Sequence, residues 1–349
     1  MIAANQPVQR PPDAKLLVVD ACRRINHASR SSFVEHLRAG DLVVANDAAT
    51  LPASLSGTHG ATGTPVEVRL AGRPSLKPED VNRFSAVVFG AGDFRTRTED
   101  RPAPPALASG DRLVLGPLRA TVERVLGHAR LVSLLFDGSP DEVWAGLARH
   151  GRPIQYAHVN APLALWDVWT RFAGPPVAFE PPSAGFALDW RALASMRECG
   201  VEFETITHAA GISSTGDEEL DRLLPFDEPY SIPRATADAI TRAKARGGRV
   251  VAVGTTVVRA LEHAASADGT VRAGVGVATQ RIGPSSYLRV VDAILSGTHE
   301  AGTSHYELLR AFLDDVTLTR ATRELDSRGY LTHEFGDSVL IERAAPGAC

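Results

Sequence analysis

The sequence predicts an α/β fold: one large α/β domain (residues 1–54 and 141–349) carrying an inserted small all-β, barrel-like domain (residues 55–140). Two observations predict it. On both sides of the insertion, short apolar β-branched runs alternate with stretches of helical periodicity, as in a covered sheet. Between Leu55 and Phe136 the texture changes to short alternating runs broken by glycine and proline, as in a small barrel or sandwich.

Taken in order, residues 15–20 are apolar and β-branched and read as a strand. Residues 31–38 read as a helix, with Phe33, Val34 and Leu37 on one stripe and Gly40-Asp41 as its stop. Residues 42–45 form a buried-strand candidate. Inside the insertion, 66–70 and 120–125 alternate cleanly, and Gly127-His128 separates the second run from 130–136 as a hairpin turn would. A helix over 141–149 marks the end of the insertion. Beyond it the pattern gives a helix over 189–199 closed by Gly200, a strand over 201–206, and a helix over 236–245 ended by Gly247-Gly248. A strong strand over 249–253 then runs directly into a helix over 256–265. A strand over 286–291, helices over 304–313 and 318–327 and a last strand over 338–342 complete the chain.

Composition narrows the class. A hydrophobic fraction of 44% and a charged fraction of 22% are those of a folded globular protein. The longest apolar runs, 131–136 and 249–254, fall far short of the roughly 18–20 residues a membrane span needs, and residues 1–13 lack a secretory pattern, so a cytoplasmic location and no membrane partner are expected. Cys22, Cys199 and Cys349 are far apart and odd in number, and read as isolated reduced thiols. A net charge of −4 argues against a surface that grips nucleic acid everywhere, but leaves room for a local basic patch. Two clusters qualify, Arg242/Lys244/Arg246/Arg249 and Arg320/Arg323/Arg328, each otherwise a solvated helix face. Trp166 and Trp169 are expected in the core, with stacking on a base as the alternative.

The most informative segment is the strand–turn–helix junction around Gly254-Thr255-Thr256. Glycine permits a tight turn, and two hydroxyls beside the free N–H groups of a helix start suit an anionic or polar ligand. Arg259, one turn on, is placed to aid a carboxylate or phosphate; an ordinary βα junction with a threonine cap is the other reading. The spacing is not that of a G-x-x-x-x-G-K-[ST] loop, and no G-x-G-x-x-G opens a helix, which speaks against a Rossmann methyltransferase.

The segment Ala252-Val-Gly-Thr-Thr-Val-Val-Arg-Ala-Leu-Glu262 resembles a signature of the S-adenosylmethionine:tRNA ribosyltransferase-isomerases of queuosine biosynthesis. Other matches follow in family order: Gly40-Asp-Leu-Val-Val-Ala-Asn46 continuing to Leu51-Pro-Ala53, Pro182-Ser-Ala-Gly185, Leu288-Arg-Val-Val-Asp292 and Gly336-Asp337. The resemblance implies transfer and isomerisation of the ribosyl part of S-adenosylmethionine, as co-substrate, onto a 7-aminomethyl-7-deazaguanine in tRNA. The products would be epoxyqueuosine, adenine and methionine, with tRNA as partner and no metal. It places Asn46, Asp47, Ser183, Gly185, Gly254, Thr255, Thr256 and Arg259 in the cofactor pocket, and Glu228 and His299 in catalytic roles.

The chain departs from the family pattern at several places. Ala49 and Ser54 stand where the family has arginines, and Ala187 and Phe226 where it has histidines. Thr207-His208-Ala-Ala-Gly-Ile-Ser213 replaces an H-V-G-x-G-T-F stretch, and Gly297-Thr-His-Glu-Ala-Gly-Thr-Ser-His305 an N-F-H-L-P-x-S-T-L stretch. The losses remove charge-assisted donors. They leave open a small-molecule acceptor for the same donor chemistry, or a non-catalytic paralogue that binds S-adenosylmethionine or RNA.

Overall fold

Every residue of Leu42–Asn46 is buried, and a strand without a solvent face belongs in the middle of a sheet covered on both sides. The computed structural model, which describes residues 1–344, puts this strand fourth in a nine-stranded sheet, well inside it. In spatial order the strands are Gly274–Ala278, Glu228–Ile232, Glu202–His208, Leu42–Asn46, Val250–Val253, Ala293–Gly297, Ser338–Glu342, Lys15–Val19 and Ile25–Ser29. Glu202–His208, Leu42–Asn46, Val250–Val253 and Ala293–Gly297 run parallel, and their carboxyl ends share one edge. Antiparallel strands flank them on both sides.

Alternation along the central strands builds two cores. Leu42, Val44, Val250 and Ala252 face the helices Arg234–Ala245, Thr255–Ala264 and Asp315–Ser327. Val43, Ala45, Val251 and Val253 face the other side, against Phe33, Leu188 and Met196 of Trp190–Glu198.

The inserted segment closes into a six-stranded antiparallel barrel. Around the barrel run Leu118–Val125, Leu131–Phe136, Arg83–Phe89, Pro65–Gly72, Ser54–His59 and Arg112–Leu115. Closure leaves no unpaired edge. Its core is continuous with Phe179, Ile212, Leu220 and Leu224 of the α/β part, so the barrel is seated against the larger body. The helix Pro140–His150 packs on it through Gly146, where any Cβ would collide with Leu118. A reciprocal cap between Ser139 and Glu142 starts this helix.

Four expectations need correction. The helix expected over 31–38 is a 3-10 helix, Arg30–His36. Residues 286–291 are not a strand: the N–H groups of Arg289, Val290 and Val291 donate to the carboxylate of Glu262 at 2.7–3.0 Å, so the apolar run is satisfied by a side chain and the strand begins at Ala293. Trp166 is not core but 75% exposed, while Trp169 donates its indole N–H to Thr50 O at 3.0 Å. Cys199 is free and exposed, but Cys22 is disulfide-bonded, against the expectation of reduced thiols; Cys349 lies outside the described residues. No helix among the described residues is long and apolar enough to cross a membrane.

Candidate functional site

The carboxyl ends of parallel strands in an open sheet are where loops converge and ligands bind. Here that edge opens into a cavity of about 300 Å³. One wall is the turn after Val250–Val253. Gly254 has φ 93° and ψ 156°, a region essentially closed to residues with a Cβ. It lets the chain enter Thr255–Ala264 at once, and no side chain caps that helix, so its first N–H groups are left to the cavity side. Opposite lies the short turn Ser183–Ala187; a Cβ on Gly254 would sit 3.5 Å from that of Ala184. Ser183, Gly254, Thr255, Thr256, Glu228, Arg259 and His299, far apart in sequence, all line this cavity.

Glu228 opens the strand Glu228–Ile232 and Arg259 sits in the first turns of Thr255–Ala264; both are buried and paired through Arg259 Nη1 and Glu228 Oε2. The guanidinium also donates to the carbonyls of Phe226 (3.2 Å) and Ala278 (3.1 Å). Glu228 Oε1 accepts from the Gly211 N–H at 2.6 Å. Burial pushes the Glu228 carboxyl up, against the pull of Arg259 and the Gly211 N–H. Arg259, expected to hold a ligand's anion, thus already holds an anion of the protein. His208 lies with Nε2 3.5 Å from Glu228 Oε2, and neither ring nitrogen has a hydrogen-bond partner among the described residues. Burial and the nearby Arg259 push it down to about 3, so the imidazole is neutral and the contact is not an ion pair.

His299 accepts or donates a hydrogen bond to Ser296 Oγ at 2.9 Å and stacks on His305, with centroids 4.7 Å apart and planes at 13°. Burial holds His299 well below its ordinary value and brings His305 to about 4, with Arg259 adding to the shift in His305. Both are neutral near pH 7. Glu180 completes the wall. Its carboxylate accepts the Tyr156 hydroxyl, and burial pushes it up to about 7, with Glu334 adding to the rise and the Tyr156 hydrogen bond opposing it. Sequence reading missed Glu180 and His305: one is a polar residue in a loop, the other stands in the first turn of the helix Ser304–Leu309, and only folding brings them to the cavity.

Three expected pocket residues lie outside it. Asn46 is buried beneath the turn and bonds the backbone of His208 and Ala48 at 2.9–3.1 Å, with its Nδ2 3.5 Å from Thr256 Oγ1. Asp47 accepts the hydroxyls of Thr205 (3.0 Å) and Thr207 (2.7 Å), and burial raises its carboxyl. Gly185 packs on Thr170 and Phe172, where a Cβ would come within 2.9 Å. These three shape the scaffold behind the cavity.

The first basic cluster is neutralised. Arg242 and Arg246 pair with Glu202, Lys244 with Asp292, and Arg249 with Asp41 and Glu342. In the second, Arg328 pairs with Glu324 at 3.5 Å and Arg320 donates to the Arg23 carbonyl. A larger groove of about 730 Å³ between barrel and sheet holds other arginines: Arg73, Arg83, Arg124 and Arg281. Arg83 is paired with Glu123, whereas Nε and Nη1 of the buried Arg73 have no hydrogen-bond partner among the described residues. Groove and cavity share Pro225 and Arg281.

Residues 1–341 match the family described as queuosine biosynthesis proteins. The S-adenosylmethionine:tRNA ribosyltransferase-isomerase of Citrifermentans bemidjiense is 34% identical, over 97% of this chain and 96% of that protein. The enzyme of the same name from Sorangium cellulosum is 33% identical over 97% and 95%. The crystal structure of the S-adenosylmethionine tRNA ribosyltransferase of Thermotoga maritima superposes with a TM-score of 0.51 at 22% identity, covering 97% of this chain and 96% of that one, a likeness of fold. A match along nearly the whole chain means that the chain belongs to the queuosine biosynthesis family.

Proposed function

We propose that this chain transfers and isomerises the ribosyl part of S-adenosylmethionine onto a 7-aminomethyl-7-deazaguanine in tRNA, giving epoxyqueuosine, adenine and methionine. The observation that supports it best is the single cavity that gathers the Gly254-Thr255-Thr256 turn, Ser183, the Glu228–Arg259 pair and His299. Its volume lies at the lower end of the range of small-molecule sites.

In this reading the uncapped amide end of Thr255–Ala264 and the hydroxyls of Thr255, Thr256 and Ser183 receive the polar end of the donor. The reaction needs a base for the C5′ proton beside the sulfonium. Glu180, lifted to about 7, lies in the range in which a carboxylate is both ionised and basic near neutrality. Neutral His299, held by Ser296, can donate a hydrogen bond to departing adenine. Glu228 keeps Arg259 and the Gly211 loop in place around the reacting groups. The groove with Arg73, Arg124 and Arg281 is the approach proposed for the tRNA backbone, since the first cluster suggested by sequence is spent on internal ion pairs.

The test is incubation of the pure protein with S-adenosylmethionine and tRNA carrying the aminomethyl-deazaguanine, with a relative of known activity in parallel. Adenine release with a modified tRNA product supports the proposal. No release while the relative turns over rejects it; release with a small deazaguanine acceptor but not with tRNA moves the acceptor class.

A further inference from the structure

Beside the cavity lies a cluster of side chains whose only contribution so far is the charge of Glu334 on Glu180. His158, in the loop after the helix Pro140–His150, meets His333 and Glu334, from the turn before the last strand. The available donor atoms of the three residues all lie within 4.8 Å of one another. His158 Nε2 is 3.1 Å from Glu334 Oε2, and the His158 and His333 rings stack with centroids 4.3 Å apart and planes at 22°.

The supports of this cluster are rigid on both sides. Gln155 donates to Val159 O (2.7 Å) and Ala161 O (2.8 Å), which ties the loop that carries His158, and Tyr156 stacks on His158 at 6.2 Å and 8°. On the other side Phe335 is buried against Phe186, and Asp337 accepts the N–H groups of Lys15 (2.6 Å) and Leu331 (2.8 Å). His333 itself adopts φ 69°, a left-handed conformation that is uncommon for a residue with a Cβ. A residue held in such a conformation by its surroundings points to a functional demand on where its side chain goes.

We propose that His158, His333 and Glu334 bind one divalent transition-metal ion, of the Zn²⁺ or Fe²⁺ type. Two imidazoles and one carboxylate suit those ions, whereas Ca²⁺ and Mg²⁺ take oxygen ligands. Bonds of about 2.0–2.2 Å in a tetrahedral site hold donors roughly 3.4 Å apart. The His158–Glu334 pair is already near that separation, and the exposed His333 ring closes the rest by a side-chain rotation. Three protein donors leave a position for water or a ligand, as in zinc sites that do chemistry. The ligands are some 175 positions apart, so no metal-binding spacing could show them in the sequence.

The inference is independent of the ribosyl-transfer reading, and its test reads binding alone. Tag-free full-length protein, stripped with chelator, is titrated with Zn²⁺ by calorimetry near neutral pH, and with Co²⁺ by visible absorption. One equivalent of saturable Zn²⁺ is expected, with the intense absorption of low-coordinate Co²⁺. His333→Ala and Glu334→Gln should each weaken binding at least about 10–100-fold, the scale already seen for supporting residues around metal ligands. His299→Ala, which removes a nearby cavity imidazole, should leave it unchanged. No saturable binding, or binding indifferent to His333→Ala, overturns the proposal. Because His333 is exposed, that variant folds and decides the matter even if Glu334→Gln does not.

Discussion

Arg259→Met leaves Glu228 buried without its counter-charge, and the structure fixes both the size and the pH dependence of the result. The native guanidinium meets the Glu228 carboxylate and two backbone carbonyls, all out of water. Breaking a buried pair from one side costs about 3–5 kcal/mol. Methionine fills similar space, so little of that cost comes from a cavity. With Arg259 gone, burial lifts the Glu228 carboxyl further above its unfolded value, opposed only by the Gly211 N–H. A carboxyl raised in the folded state binds its proton more tightly there, so the variant loses stability as pH rises from the unfolded pKa through the folded one. Urea denaturation of variant and parent should therefore show a small deficit at about pH 5 and the full deficit at about pH 8. Glu228→Gln alone should give a deficit that narrows as pH rises, because the parent, whose Glu228 carboxyl is raised in the fold, loses stability over this range while the variant has no carboxyl there to titrate. The double variant Glu228→Gln/Arg259→Met should recover part of the loss, since no charge is left buried. A deficit below about 1 kcal/mol, the scale of an exposed pair, or one that shrinks as pH rises, would refute the reasoning.

Other predictions follow from single features of the site. Glu180→Gln should abolish the acid limb of the pH–rate profile, which in the parent falls as pH drops through about 7; because ionising Glu180 disfavours the fold, the variant should also gain stability over the parent above that pH. Gly254→Ala should cost on the order of 1–3 kcal/mol in thermal or urea denaturation, since φ 93° with ψ 156° is open only to glycine. Ser139→Ala removes the cap of the helix beside the barrel and should cost about 1 kcal/mol, read from the same melts. Arg124→Ala should weaken tRNA binding and lower the salt slope of the affinity by about one, measured by filter binding across salt concentrations.

What could be read from sequence was what local pattern controls. Leu42–Asn46 and Val250–Val253 are unbroken apolar runs because both sheet faces are covered, and the alternation in Leu118–Val125 marks a wall with one wet side. Strands toward the ends of the sheet escaped: the edge strand Ile25–Ser29 is mostly polar, and Glu228–Ile232, second from the other edge, carries a proline. Leu288 to Val291 misled because four apolar or basic residues look like a strand whether their N–H groups find another strand or, as here, the carboxylate of Glu262. At the site, the glycine turn was legible in its own three residues. Glu180, His305 and the partnership of Arg259 with Glu228 were not, since each depends on a neighbour at least thirty positions away or on burial that no single residue declares.

The charges of the cavity follow from that partnership, and they bear on what the cavity can hold. A free arginine at the position of Arg259 would make the wall positive and repel a sulfonium. Paired with Glu228, it contributes no net charge, yet its proximity still discourages protonation of His208 and His305. Burial does the same to His299. Three imidazoles that could have charged the cavity are thereby kept neutral, while Glu180 becomes an anion as pH passes about 7. The cavity then ranges from neutral to negative around the physiological pH, which in the proposed reaction would favour the cationic donor and supply the base for its deprotonation. Substituting Glu228 by glutamine should accordingly weaken a sulfonium ligand more than its uncharged thioether analogue, and equal losses for the two in calorimetry would show that charge has no part in the selection.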